Sequence, residues 1–172
     1  MAGAPTFNPG GIPDGPRRRT QASTKLLHEW ASLQAWEVPP IYELRLGPTP
    51  LTTYVPQLSY AEEQMLRRWN RYADLIGIKP DEIDVIEAKM IADPGAISQL
   101  EYYVNLVRAT PVLDQWPGRI LQGVLLWAVD DPVIHQMATA RGIRVVTYSP
   151  PWAAEYLAAL NARRRRPNPG PP

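Results

Sequence analysis

Alternating apolar and polar positions first identify the centre of the chain, where a turn separates two short stretches with strand character. Residues 71–90 read RYADLIGIKPDEIDVIEAKM, and the KPDE in the middle is typical of a turn between strands. Side chains of a strand point alternately to its two faces, so Glu87 and Lys89 share one face and Asp84 takes the other. The pattern therefore predicts a strand pair that carries Asp74, Glu87 and Lys89 as a group, with Asp84 outside it.

Helical and strand periodicity predict the remaining elements of an α/β domain. They place helices at residues 25–36, 59–72, 93–108, 132–141 and 151–161, and further strands at residues 41–46, 119–129 and 143–148. Thr24 is the expected N-cap of the first helix. The almost unbroken apolar run at residues 119–129 is typical of a strand that is covered on both faces. This order of elements predicts a mixed central β-sheet flanked by helices.

The helix predicted at residues 59–72 carries a carboxylate that points inward. Ser59 and Glu62 form a capping box, three residues apart. At 100° per residue, Glu62 falls within the apolar face that also contains Met65 and Trp69. Capping and a role in a site explain this glutamate equally well.

Both ends of the chain differ in composition from its middle. We expect an extended Pro/Gly/Arg-rich arm at residues 1–23, a single α/β domain at residues 24–162 and a basic Pro-rich tail at residues 163–172, because the end segments have too few apolar residues to fold alone. Residues 26–162 contain sixteen acidic and ten basic residues, so the positive charge is concentrated at the ends. Such basic clusters attract phosphates or acidic protein surfaces, and solubilising tails explain them equally well.

Composition excludes several kinds of site. The chain has no cysteine and two histidines, which excludes thiolate catalysis, cysteine-bound zinc and a multi-histidine metal centre. Any metal would be bound mainly by oxygen atoms. No apolar run approaches the roughly 20 residues that span a bilayer, and the first residues lack the features of a signal peptide. We therefore expect no membrane partner and no secretion by a signal peptide, and the absence of cysteine favours the cytoplasm.

The residue types in the central strand pair are suited to phosphodiester hydrolysis. Two carboxylates a few ångströms apart repel each other unless a cation lies between them, and an oxygen site with water suits Mg²⁺ or Mn²⁺. Such an ion polarises a phosphoryl oxygen and acidifies a bound water. Lys89 would orient the water or neutralise charge on the phosphate. Glu62 could support the ion.

The spacing of these residues resembles the signature of the PD-(D/E)XK nuclease superfamily. Asp74 is followed after twelve residues by Glu87-Ala88-Lys89, and the next predicted helix contains a Gln-x-x-x-Tyr pattern at Gln99 and Tyr103. The chain departs from the pattern at Ala73, where the signature has proline. The resemblance implies a restriction-endonuclease-like core.

The same resemblance implies roles for individual residues. Asp74 and Glu87, with Glu62 in support, would bind Mg²⁺ or Mn²⁺, and Lys89 would be the catalytic amine. Gln99 would assist them. The substrate would be DNA. Many small members of this superfamily are encoded by phages, which suggests a phage origin and a location in the cytoplasm of the host cell or in the virion.

Two functions remain open from the sequence. The first is a metal-dependent nuclease that hydrolyses phosphodiester bonds in DNA. The second is a non-catalytic structural or interaction protein of a phage virion, connector or packaging complex, built on the nuclease fold. Residues 1–23 and 163–172 would then bind a protein partner or a large assembly, and a homo-oligomer is compatible with both functions.

His135 is expected to be a surface or hydrogen-bonded core residue, and Trp116, in a turn, is a candidate for core packing or for stacking on a base.

Overall fold

A five-stranded mixed sheet organises residues 20–47 and 71–164, the part of the chain that the computed structural model describes. The strands are β1 Ile41–Leu46, β2 Arg71–Ile78, β3 Glu82–Ile91, β4 Ile120–Val129 and β5 Arg144–Thr147, and they lie in this order across the sheet. The pairs β1–β2 and β2–β3 are antiparallel, whereas β3–β4 and β4–β5 are parallel. The predicted α/β class and mixed sheet are confirmed.

Four α-helices flank the sheet within the described ranges. They are α1 Gln21–Ser32, α2 Pro94–Val107, α3 Pro132–Thr139 and α4 Pro151–Arg164. Helices α2 and α3 pack on one face, and α1 and α4 pack on the other. None of these helices is long and apolar enough to cross a bilayer.

Alternate side chains of the central strands fill two separate hydrophobic cores. In β3, Val85 enters the core beneath α2 and Ile86 enters the core beneath α1. In β4, Leu125 enters the core beneath α2 and Leu126 enters the core beneath α1. Burial on both faces explains why the sequence of β4 is apolar at almost every position.

The first helix begins earlier than the sequence indicated. Its N-cap is Thr20, not Thr24, because the Thr20 hydroxyl accepts a hydrogen bond from the Ser23 N–H at 3.1 Å. The helix ends at Ser32, and Trp36 then turns back to donate its indole N–H to the Ala31 carbonyl at 2.9 Å. The Trp36 ring fills the space beside Gly77 in β2, where a Cβ atom would overlap it.

Several predictions concern residues outside the described ranges. The helix predicted at residues 59–72, with Glu62, lies there except for its last two residues, and these belong to β2 instead. Most of the predicted arm at residues 1–23 and of the tail at residues 163–172 also lies outside them. The turn between β2 and β3 is confirmed, since the Lys79 N–H bonds to the Glu82 carbonyl at 3.0 Å.

Candidate functional site

The ladder between β2 and β3 opens at Asp74. Paired residues run from Ile78 and Ile83 to Leu75 and Ile86, where the pairing ends. Beyond that point a side chain replaces the backbone carbonyl as the hydrogen-bond acceptor, because Asp74 Oδ2 accepts the Ala88 N–H at 2.8 Å. The bond satisfies a donor in β3 that the ladder no longer pairs. It also attaches the Asp74 carboxylate to the Glu87-Ala88-Lys89 segment.

The ladder on the other side of β2 is also irregular at this position. In β1, Tyr42 pairs with Leu75 and Leu44 with Ala73, which places Glu43 opposite Asp74. Glu43 has a φ of 51° and is the one non-glycine residue with positive φ among those described. A left-handed backbone is unfavourable for glutamate, and such strain is common beside functional sites. The regular alternation around Glu43 contains no signal that could have predicted it.

Glu87 and Lys89 share the α2 face of the sheet, as strand alternation predicted. Glu87 is only 3% exposed, and its Oε1 lies 2.6 Å from Lys89 Nζ. Burial by itself lowers the pKa of Lys89, but the carboxylates around it, chiefly that of Glu87 and then that of Asp74, raise the pKa above its usual value. Lys89 is therefore an ammonium ion that lies in the field of both carboxylates.

Helix α2 places two further predicted residues beside this group. Gln99 and Tyr103 are one helical turn apart, and the Gln99 amide donates to the Tyr103 hydroxyl at 2.9 Å. Burial raises the pKa of Tyr103, and the negative charges of Glu87 and Asp74 raise it further. The phenol consequently stays neutral, with its oxygen oriented by the amide.

The structure thus brings together the predicted site residues that it describes, namely Asp74, Glu87, Lys89, Gln99 and Tyr103. No group of three or more histidine, aspartate or glutamate side chains in the described ranges is arranged to bind a metal ion. Two carboxylates nevertheless suit Mg²⁺ or Mn²⁺, because Mg²⁺ usually keeps several waters and takes its other ligands from one or two carboxylates and a substrate phosphate. A positively charged group, the Lys89 ammonium, already contacts Glu87. The two carboxylates therefore fit a metal ion whose remaining ligands are water and substrate.

Asp84 belongs to a different group, on the opposite face and near the start of β3. It is 1% exposed, and it contacts Lys79 Nζ at 2.7 Å and Arg144 at 3.2 Å. Glu82 contacts the same two cations, each at 2.8 Å. A buried carboxylate with two cations needs no ligand to explain it. This network stabilises the start of the sheet, and the separation of Asp84 from the candidate site agrees with the prediction from strand faces.

The Glu82 carboxylate in this network predicts a dependence of stability on pH. The hydrogen bond from Arg144 lowers the pKa of Glu82 to about 2, from an ordinary value of 4.5, with burial acting against it and Lys79 acting with it. The unfolded chain therefore binds more protons than the folded chain between these pH values. The contribution of Glu82 is present above pH 4.5 and is lost as the pH falls towards 2.

We expect Glu82→Gln to reduce the acid-induced loss of stability in this pH range. Urea unfolding at pH 5, 4, 3 and 2 would measure the free energy of unfolding of both proteins. Glu101→Gln is the matched control, because the pair of Glu101 with Arg141 is longer, at 3.4 Å, and largely exposed. The same pH dependence for Glu82→Gln and wild type would contradict the expectation.

Two other residues that stood out in the sequence are accounted for by packing and hydrogen bonds. Trp116 packs against the core beneath α2, so it is not an exposed stacking surface. His135 is partly exposed, and its Nδ1 lies 2.6 Å from Asp130, which also accepts the Trp127 indole N–H at 2.9 Å. His135 borders an open cleft of about 610 Å³ at the start of α3.

We compared the chain with protein-family models, curated proteins and solved structures, and nothing matches it. The assignment of function therefore depends on the residues and their geometry.

Proposed function

We propose that this chain is a metal-dependent nuclease of the PD-(D/E)XK type, which hydrolyses phosphodiester bonds in DNA. The observation that carries the proposal is the opening of the β2–β3 ladder at Asp74. The Asp74 carboxylate bonds to the Ala88 N–H at 2.8 Å, between the two functional residues of the Glu-x-Lys sequence. The opening replaces backbone pairing between β2 and β3 by a side-chain hydrogen bond, and it brings an aspartate beside a glutamate and a lysine.

The order of the elements also supports a restriction-endonuclease-like core. Helix α1 and the antiparallel strands β1, β2 and β3 are followed by α2 and then by β4, which is parallel to β3. This order places the aspartate strand beside the Glu-x-Lys strand. It also lays α2, with Gln99 and Tyr103, over the same face.

Asp74 and Glu87 would hold Mg²⁺ or Mn²⁺, and Glu62 remains a candidate ligand outside the described residues. The ion would supply Lewis acidity to a phosphoryl oxygen and acidify a water for in-line attack on phosphorus. Glu87 is buried, so its charge is poorly screened by solvent and attracts a cation strongly.

Lys89 would stabilise negative charge on the phosphate. Its raised pKa keeps the amine protonated at neutral pH, so it acts as a hydrogen-bond donor. Its side chain is 33% exposed, which leaves it able to move from Glu87 towards a substrate. A positively charged donor beside the scissile phosphate is most valuable in the transition state, where negative charge increases.

Gln99 and Tyr103 would position the phosphate or a water near the carboxylates. The amide–phenol hydrogen bond fixes the Tyr103 oxygen, and the raised pKa of Tyr103 keeps its proton available for donation. Neither group adds negative charge to a site that must admit a phosphodiester.

Cleavage of supercoiled plasmid by the purified full-length chain tests the proposal. We expect nicked and linear products with Mg²⁺ or Mn²⁺ and none with EDTA. Lys89→Met should abolish the products, whereas Lys25→Met, which removes a lysine from α1 on the opposite face, should not. Intact plasmid with wild type under every metal condition, or equal cleavage by Lys89→Met, would contradict the proposal and favour the structural alternative.

A further inference from the structure

We propose that Arg71 binds a phosphate of the DNA backbone next to the phosphate that is cut, and that the Tyr102 ring positions Arg71 for this contact. The inference rests on the proposed function, because it adds a substrate contact to the same site. The contact itself is a matter of DNA binding, which can be measured without cleavage.

Strand β2 changes faces at Asp74. Leu75 packs in the core beneath α1, whereas Ala73 packs in the core beneath α2. In a regular strand these two side chains, two residues apart, would share one face. Alternation before Asp74 therefore places Arg71 with Ala73 on the α2 face, which is the face of the candidate site.

The same change of face occurs in β1, opposite Asp74. Tyr42 packs against the core beneath α1, and Leu44 packs against the core beneath α2. Glu43 lies between them with a φ of 51°, and a left-handed residue of this kind interrupts strand alternation and redirects side chains. The two strands thus change faces together. This change turns Arg71 towards α2, whereas uninterrupted alternation would turn it away.

An aromatic ring holds the Arg71 side chain at the edge of the site. The guanidinium lies over the ring of Tyr102, 5.7 Å from the ring centroid, and this cation–π contact restricts it. Tyr102 is 49% exposed on α2, directly before Tyr103. The pKa of Tyr103 is raised by burial and by the charges of Glu87 and Asp74, and the charge of Arg71 acts against them. Arg71 and the two carboxylates therefore lie around the same phenol.

The position of Arg71 suits a phosphate beside the reacting one. Arg71 is the one basic residue of β2, as Lys89 is of β3. Lys89 contacts Glu87 at 2.6 Å and so lies at the proposed metal ligands. Arg71 is three residues from Asp74 along an extended strand, about 10 Å between Cα atoms. A guanidinium binds two phosphate oxygens at once, so Arg71 is suited to anchor the neighbouring phosphate.

The acidic character of the domain increases the importance of such a contact. Residues 26–162 have sixteen acidic and ten basic residues. Three of the basic residues, Lys79, Arg119 and Arg144, form ion pairs with carboxylates of the chain. Loss of one phosphate contact should therefore be measurable in the affinity for DNA.

Fluorescence anisotropy of a labelled blunt duplex with the full-length chain in EDTA would measure binding over a range of salt concentrations. Arg71→Met is expected to weaken binding about tenfold, as the loss of a charged hydrogen bond does. It should also reduce the slope of log affinity against log salt by about one, the value of one phosphate contact. Arg71→Lys should retain the slope. Arg141→Met is the matched control, because it removes an exposed arginine that pairs with Glu101 at 3.4 Å, and it should leave the slope unchanged.

Two further variants test the part of Tyr102. Tyr102→Leu should weaken binding about threefold by releasing the guanidinium, and Tyr102→Phe should not, because a phenylalanine ring also attracts a cation. Thermal unfolding would verify that each variant is folded. Arg71→Lys and Tyr102→Leu keep the test decisive if Arg71→Met does not fold.

Cleavage rates distinguish a neighbouring phosphate from the reacting one. With saturating protein and Mg²⁺, Arg71→Met should cut within about threefold of the wild-type rate, because a contact outside the reacting group contributes mainly to binding. A rate at saturation that falls by about a hundredfold or more would assign Arg71 to the reacting phosphate and overturn this part of the inference.

The inference as a whole would be overturned by a folded Arg71→Met chain with the affinity and salt slope of Arg141→Met, or by a wild-type chain that binds no DNA at low salt. Plasmid cleavage that persists alongside an unchanged salt slope would contradict the inference and leave the nuclease proposal standing. Conversely, binding that depends on Arg71 in a chain that cuts nothing would support the phosphate contact and contradict the nuclease proposal.

Discussion

Glu87→Gln is expected to lower the rate of DNA cleavage by at least about a thousandfold, because it removes one of the two charges that would hold the metal ion. A loss of about 4 kcal/mol of transition-state stabilisation corresponds to this factor, and a metal ion supplies several kcal/mol. Asp74→Asn should have a similar effect, although its amide oxygen can still accept the Ala88 N–H. Single-turnover rates with saturating Mg²⁺ would measure both effects.

The fold should survive these substitutions. Glutamine has nearly the shape of Glu87, and Lys89 is 33% exposed, so its ammonium can reach water when the carboxylate is lost. Thermal unfolding followed by circular dichroism would verify this. Glu101→Gln, on the exposed surface of α2, is the control for a lost carboxylate outside the site. A Glu87→Gln variant that is folded and retains more than about a tenth of the wild-type rate would contradict the role of Glu87.

The second large effect concerns stability. Replacing both Lys79 and Arg144 by methionine is expected to reduce the free energy of unfolding by about 3–5 kcal/mol. Asp84 would then be a buried carboxylate without a cation, close to a second carboxylate at Glu82. Urea unfolding at neutral pH would measure the change.

The same double substitution should have a much smaller effect, about 1–2 kcal/mol, in an Asp84→Asn background, because a neutral amide needs no compensating charge. This comparison separates the charge of Asp84 from the packing of the two long side chains. Equal losses in the two backgrounds would show that the buried charge is not the cause.

Strand alternation placed Glu87 and Lys89 on the correct face and excluded Asp84, because this periodicity is a local property of the backbone. The helix caps at Asp93 and Asp131 are local features of the same kind, since each carboxylate accepts a backbone N–H two residues further along the chain. The position of Thr20 was not predicted. Its hydroxyl begins α1 within a segment whose Pro- and Arg-rich composition favours an extended arm, and a helix that packs on the sheet overrides that composition.

The main feature of the candidate site could not be predicted from local patterns. Opening of the ladder at Asp74 involves three strands, since β1 has its irregular residue Glu43 opposite the same position. The sequence resembles the signature of a nuclease there, but it does not show that a side chain takes the place of a backbone hydrogen bond. The placement of Tyr102 beside Arg71 likewise depends on how α2 packs over the sheet.

The most direct test of the metal site is to map a bound ion onto the chain. Fe²⁺ that replaces Mg²⁺ would, with ascorbate and peroxide, cut the backbone beside its ligands. The proposed site predicts fragments that end near Asp74 and near Ala88, suppressed by excess Mg²⁺ and absent from Glu87→Gln. Fragments only elsewhere, for instance beside His135, or no fragments at all, would contradict a metal ion held by Asp74 and Glu87.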